Sequence, residues 1–167
     1  FSSGPAVLPL PVLEQVQRDL IALPGVGMSV MEISHRSDAF VGILNQAIGN
    51  IRELASVPAS YKILTLQGGA SLQFSMVPMN LLVGGSIADY VDTGAWSRKA
   101  IKEAGRVGTV NVAASIKDDG YCRIPAASEL ALTDGWAHTH ITSNNTIEGT
   151  QWRGLPDIGD SPLIADA

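Results

Sequence analysis

Four positions in this chain carry residues that could hold a polar ligand, and each follows a short apolar run. Gly68–Ser71 (GGAS) comes after Tyr61–Leu66 and before a helical stretch. A strand, a glycine turn and a helix start together present free backbone N–H groups and the positive helix end to an anion, and Ser71 adds a hydroxyl. The same residues also suit a plain tight turn, and they match neither a Walker loop nor the spacing GxGxxG. Trp96 stands just after Gly94 at a helix start, where its flat indole could cover a ligand ring or simply fill the core. Thr146, in SNNTIEG, could donate a hydrogen bond to a ligand or cap a turn. Asp166 ends the apolar run PLIAD. It reads either as a surface carboxylate or as a buried acid serving a cationic partner.

Other polar groups fit less demanding roles. His35 and Arg36, in SVMEISHRS, lie between two predicted helices. The forked donors of an arginine beside an imidazole suit a phosphate or carboxylate, and the pair equally suits a solvated helix start. His138 and His140 alternate on one strand face, but no Cys or carboxylate supplies a convincing further ligand, so no metal site is expected. No GxSxG elbow is present, and Cys122 stands in no recognisable nucleophile context. Arg98, Lys99 and Lys102 read as a solvated helix face.

Hydrophobic periodicity supplies the elements that must position these groups. Val12, Leu13, Val16, Leu20 and Leu23 predict a helix over Pro11–Leu23, stopped by Pro24 and Gly25. Phe40, Val41, Leu44, Ala47, Ile48 and Ile51 predict a second over Ser37–Leu54, with Ser37 and Asp38 suited to its start. Tyr61–Leu66 (YKILTL) is a strand candidate. A helix follows through Leu72, Phe74, Met76 and Leu81, with Pro78 as an irregularity. Ala88–Val91, Val110–Ala113, Ala137–Thr142 and Pro162–Ala165 read as strands, and Trp96–Ala104 as a helix.

Short strands alternating with helices imply parallel β-α-β units, hence an α/β fold with a mostly parallel sheet. In such sheets ligands gather at the carboxyl ends of the strands, which is where the four candidate positions fall. No repeat, low-complexity segment or linker interrupts the chain. An apolar strand such as Pro162–Ala165 normally leads into a crossover, so the sequence reads as part of a longer protein.

Bulk properties narrow the class. The 167 residues suffice for one core, and 46% hydrophobic with 16% charged residues argues against disorder. A net charge of -5 gives no basic face for nucleic acid. No apolar run approaches the ~20 residues of a membrane helix, and no charged segment precedes an apolar one at the start. The single cysteine fits a reducing compartment. A cytoplasmic protein is expected.

Taken together, FSSGPAVLP, SVMEISHRS, SVPASYKILTLQGGASLQF, VPMNLL, ADYVDTGAWSRKAIKEA, NNTIEGTQW and PLIAD occur in an order and at a spacing that resembles the phosphoserine aminotransferase family. These are class V, fold-type I enzymes that use pyridoxal 5'-phosphate (PLP). The resemblance covers essentially the whole chain. It implies a three-layer α/β/α large domain, here in its N-terminal portion, with the rest of that domain and a small C-terminal domain lying beyond.

It also implies roles. Ala70 and Ser71 would hold the cofactor phosphate, Trp96 would stack on the ring, Thr146 would bond the ring oxygen, and Asp166 would pair with the protonated ring nitrogen. Ser3, His35 and Arg36 would bind substrate. Many relatives carry a third glycine and an arginine where this chain has Ala70 and Ser71. The reaction implied is amino exchange between glutamate and 3-phosphohydroxypyruvate, in a homodimer. The family's Schiff-base lysine lies beyond the Asp166 segment, and Lys62, Lys99, Lys102 and Lys117 do not match its motif, so the 167 residues alone are not expected to transaminate. Alternatives are another class V aminotransferase or lyase, and a non-catalytic phosphate-binding module.

Overall fold

A computed structural model describes residues 6–134 and 136–167. The chain divides into two compact units, Pro5–Leu66 and one centred on Gln67–Ala167. The division falls inside YKILTLQGG, with no Pro- or Ser-rich linker to mark it.

The first unit holds two helices, α1 (Leu10–Ile21) and α2 (Asp38–Leu54). Ser37 starts α2 by accepting the Phe40 N–H on its hydroxyl at 3.3 Å, as its residue type leads one to expect. Beyond α2, Arg52 donates to the carbonyls of Val57, Pro58 and Tyr61 at 3.1, 2.8 and 3.1 Å. Tyr61–Leu66 was expected to be a strand and is not one. Strand structure requires a neighbouring strand to complete its hydrogen bonds, and none of the described strands pairs with this run. Tyr61, Leu64 and Leu66 stay exposed.

The second unit contains α3 (Ala70–Leu81), β1 (Ile87–Asp92), α4 (Ala95–Ala104), β2 (Thr109–Ser115), β3 (Trp136–Thr142), β4 (Asn144–Asn145), β5 (Thr150–Gln151) and β6 (Leu163–Asp166). Its sheet is parallel throughout, in the order β2-β1-β3-β6. β4 and β5 form a separate antiparallel hairpin. This is the α/β architecture that the alternation of strands and helices implied. Pro78 lies inside α3 without ending it, since Leu82 still donates to the Pro78 carbonyl at 2.8 Å.

One face of the sheet packs against the helices. Phe74, Leu82, Ala88, Tyr90, Ala100 and Ala104 form the core cluster there, and the two fully buried alanines of α4 let the helix approach Tyr90 closely. On the opposite face Asp89, also fully buried, accepts from Asn111 Nδ2 at 2.7 Å and from the Thr133 N–H at 3.0 Å. The crossover from β2 to β3 is thereby tied to the sheet.

Tyr90, His138 and His140 share the helix-covered face. The Tyr90 hydroxyl lies 3.2 Å from His138 Nε2, and its ring stacks on His140 at 4.8 Å between centroids. Burial lowers both histidines, His140 to about 4 from 6.5. A base depressed in the folded state stays neutral there while the unfolded chain takes up a proton. Stability should therefore fall as pH drops from 6.5 towards 4, by roughly 3 kcal/mol for His140. Urea unfolding across that window should show a shallower fall in His140→Phe, and equal slopes would refute the assignment.

Candidate functional site

Trp96, Thr146 and Asp166 sit at the carboxyl end of the parallel sheet. Asp166 is the last residue of β6 and pairs in register with Thr142 at the end of β3. Ser143 pins the Asp166 carbonyl with its N–H at 2.7 Å and its hydroxyl at 2.9 Å. The carboxyl is therefore carried on a fixed backbone. Burial alone pushes it above the ordinary carboxylate value.

Trp96 comes from the first turn of α4, which follows directly from β1. Thr146 comes from the hairpin after β3. The Trp96 Nε1–H donates to Thr146 Oγ1 at 3.0 Å. A hydroxyl has one proton and two acceptor sites, so accepting from the indole leaves the Thr146 proton to donate elsewhere. Lys99 Nζ lies 4.2 Å from the Trp96 ring centroid, a cation–π contact.

At the start of α3, Gly68 has φ +92°, a backbone conformation that favours glycine. Gly69 occupies the N-cap without a side chain to bond the first-turn N–H groups.

These elements converge. A cavity of about 180 Å³ is lined by Ala70, Phe74, Trp96, Asn144, Thr146 and Asp166. An adjoining cavity of about 330 Å³ shares Ala70, Phe74 and Asp166 and reaches Gln73 and His140. Ser71 instead lines a separate hollow with Phe74, Lys99, Lys102 and Glu103. His35 and Arg36 lie in an exposed turn before α2, within the Pro5–Leu66 unit. Ser3 lies outside the described residues. No group of three or more potential metal ligands occurs among the described residues, and no described helix is long and apolar enough to cross a membrane.

Phe74 was read from sequence as a helix residue and His140 as a strand residue weighed for a metal, and neither was placed at this cavity. The signals existed: Phe74 stands one helical turn after Ala70, and His140 alternates with His138. Neither pattern separates a cavity wall from ordinary core.

Comparison with known proteins bears on the family and the fold. A family model described as aminotransferase class-V matches residues 1–162. Phosphoserine aminotransferase of Hahella chejuensis is 54% identical over 166 residues, covering 99% of this chain and 46% of the relative. That of Alkalihalobacillus alcalophilus is 52% identical with the same coverage. The chain therefore spans about half the length of these relatives. Among solved structures, phosphoserine aminotransferase from Bacillus circulans subsp. alkalophilus superposes with a TM-score of 0.93 at 46% identity, covering 99% of this chain and 46% of that one. A PLP-bound phosphoserine aminotransferase from Trichomonas vaginalis gives 0.89 at 35% identity, with the same coverage. On the strength of the family match and the shared fold, this chain belongs to the class-V aminotransferases.

Proposed function

We propose that this chain forms the cofactor-ring side of a PLP-dependent phosphoserine aminotransferase. The enzyme exchanges an amino group between glutamate and 3-phosphohydroxypyruvate, giving 2-oxoglutarate and phosphoserine. The observation that carries the reading is the convergence of Asp166, Trp96, Thr146 and the start of α3 on one cavity.

The donor set fits PLP. Asp166 has a carboxyl raised by burial, so a cationic N–H placed against it relieves the cost of its charge. A protonated pyridine nitrogen is such a group. Trp96 offers a flat face to the ring, the remaining Thr146 proton suits the ring oxygen, and the uncapped first turn of α3 suits the phosphate. Ala70 and Ser71 contribute backbone N–H groups there, and the Ser71 hydroxyl is the weaker contributor because its side chain lines another hollow.

When bound, PLP supplies a sink for the electron pair left as the substrate Cα loses its proton. Asp166 keeps a proton on the ring nitrogen, which makes that sink effective. Trp96 and Thr146 fix the ring plane and exclude water from its face. Ser3, Arg36 and His35 bind the substrate carboxylate and phosphate, with His35 and Arg36 serving a neighbouring subunit of a homodimer. The anchoring lysine comes from the remainder of the same enzyme. Serine biosynthesis in the cytoplasm is the role proposed, with the phosphorylated hydroxythreonine precursor of pyridoxine as a second substrate.

The test uses the full-length protein. Added PLP should produce a visible absorption band, and glutamate with 3-phosphohydroxypyruvate should yield phosphoserine. Absence of both refutes the reading, and preference for alanine or cysteine moves the enzyme to another class V chemistry.

A further inference from the structure

We infer that Glu148 is a positioning residue of this site, clipping the hairpin that carries Thr146 onto the helix that carries Trp96. Glu148 itself lines neither cavity. The consequence for the cofactor rests on the function proposed above.

The argument begins with the start of α4. Ser97 Oγ accepts the N–H groups of Thr93 and Gly94, both at 2.9 Å. Gly94 has no side chain to cap the next donor. That donor, the Ala95 N–H, goes to Glu148 Oε1 at 2.8 Å, across 53 positions of sequence. A carboxylate against the first N–H of a helix is favoured by both the hydrogen bond and the helix dipole.

The neighbouring bond completes a two-point attachment. Ala95 is held by Glu148, and the next residue, Trp96, is held by Thr146. Residues 95 and 96 of the helix thus meet residues 148 and 146 of one tight turn. The turn itself is closed by the Gly149 N–H on the Asn145 carbonyl at 2.8 Å. Asn145 Nδ2 adds bonds to Thr93 Oγ1 at 2.9 Å and Thr150 Oγ1 at 3.2 Å. Remove the carboxylate, and the indole-to-threonine contact loses the partner that fixes its spacing.

Gly94 shows how closely the clip fits. A Cβ at that position would lie 2.5 Å from Glu148 Oε2 and 2.7 Å from Asn145 Oδ1. Both oxygens are buried and have no hydrogen-bond partner among the described residues. The carboxylate is therefore held by one bond at Oε1 and by contact with a bare backbone. Glutamine can make the same bond and places an amide donor in the small space that holds Asn145 Oδ1. Alanine cannot make it.

The experiment uses the full-length protein labelled with 5-fluorotryptophan, with the Trp96 fluorine resonance assigned by Trp96→Phe. In the apoprotein, Glu148→Gln should leave that resonance in place, whereas Glu148→Ala and Gly94→Ala should displace it. PLP affinity should hold within about twofold in Glu148→Gln and fall by about tenfold in the other two. Should either alanine variant fail to fold, Glu148→Asp, one methylene short of the Ala95 N–H, replaces it and should displace the resonance likewise. An unmoved resonance in Glu148→Ala, or in Glu148→Asp where it stands in, overturns the inference, as does a glutamine variant displaced as far as the alanine one. If the wild type takes up no PLP, the cofactor reading fails, and the apoprotein resonances still decide the role of Glu148.

Discussion

Asp166→Asn in the full-length enzyme should lower the rate of proton loss from the substrate Cα by about a thousandfold, with PLP affinity falling by tenfold or less. Asparagine matches the shape of aspartate but carries no charge to keep a proton on the ring nitrogen. The backbone that bears it is held by Ser143 and by the register with Thr142, so the substitution changes charge and leaves position alone. Single-turnover rates with α-deuterated and ordinary glutamate, alongside a PLP titration, separate the two effects. Equal losses in both would remove Asp166 from this role.

The acid's own titration gives a companion check. Burial raises the Asp166 carboxyl in the folded protein, so its contribution to stability is lost as pH rises through that raised value. A cation placed against it favours the ionised form and reverses the sign. Carbon NMR of labelled aspartate should follow the carboxyl downward on cofactor binding.

Asp92→Ala should destabilise the apoprotein by about 2 kcal/mol. Asp92 is buried at the end of β1, where its Oδ2 accepts from Ser115 Oγ at 2.8 Å and from the Tyr121 hydroxyl at 3.0 Å. Ser97 Oγ lies 3.2 Å from Oδ1 and 2.8 Å from the Gly94 carbonyl, and it donates to one of them. Burial, and then this carboxylate, raise the Tyr121 hydroxyl above its ordinary value. Truncation to alanine strips these donors of a buried acceptor at the end of β1. It also loosens the junction that delivers α4 and Trp96 from β1. Urea denaturation should record the loss, and a cost below about 1 kcal/mol would show that water had replaced the acid.

Much of this arrangement was legible in sequence, for identifiable reasons. Strand and helix periods gave the α/β class, and that class brings the ends of β1, β3 and β6 together, with Trp96, Thr146 and Asp166 just at or beyond them. Helix boundaries lay close to expectation where a cap was visible, as at Ser37. YKILTL misled because its composition promises an extended chain, while a ladder depends on a partner elsewhere. Ala70 and Ser71 were grouped as a single grip on an anion. Consecutive helical residues point about 100° apart, so their side chains line different hollows. His140 needed the pairing of β3 with β6 before its place beside the cavity could be known. Glu148 gave no signal, because its partner lies 53 positions away.

The pairing of Thr142 with Asp166 works as an address. Side chains along a strand alternate in direction, so a slip of one residue in β6 would hand that address to Ala165 and put a methyl group where the acid stands. Loops joining β3 to β6 can thus be lengthened or trimmed in engineered versions of this chain only if the strand re-enters in phase. An otherwise well-folded molecule that enters out of phase would present a neutral wall.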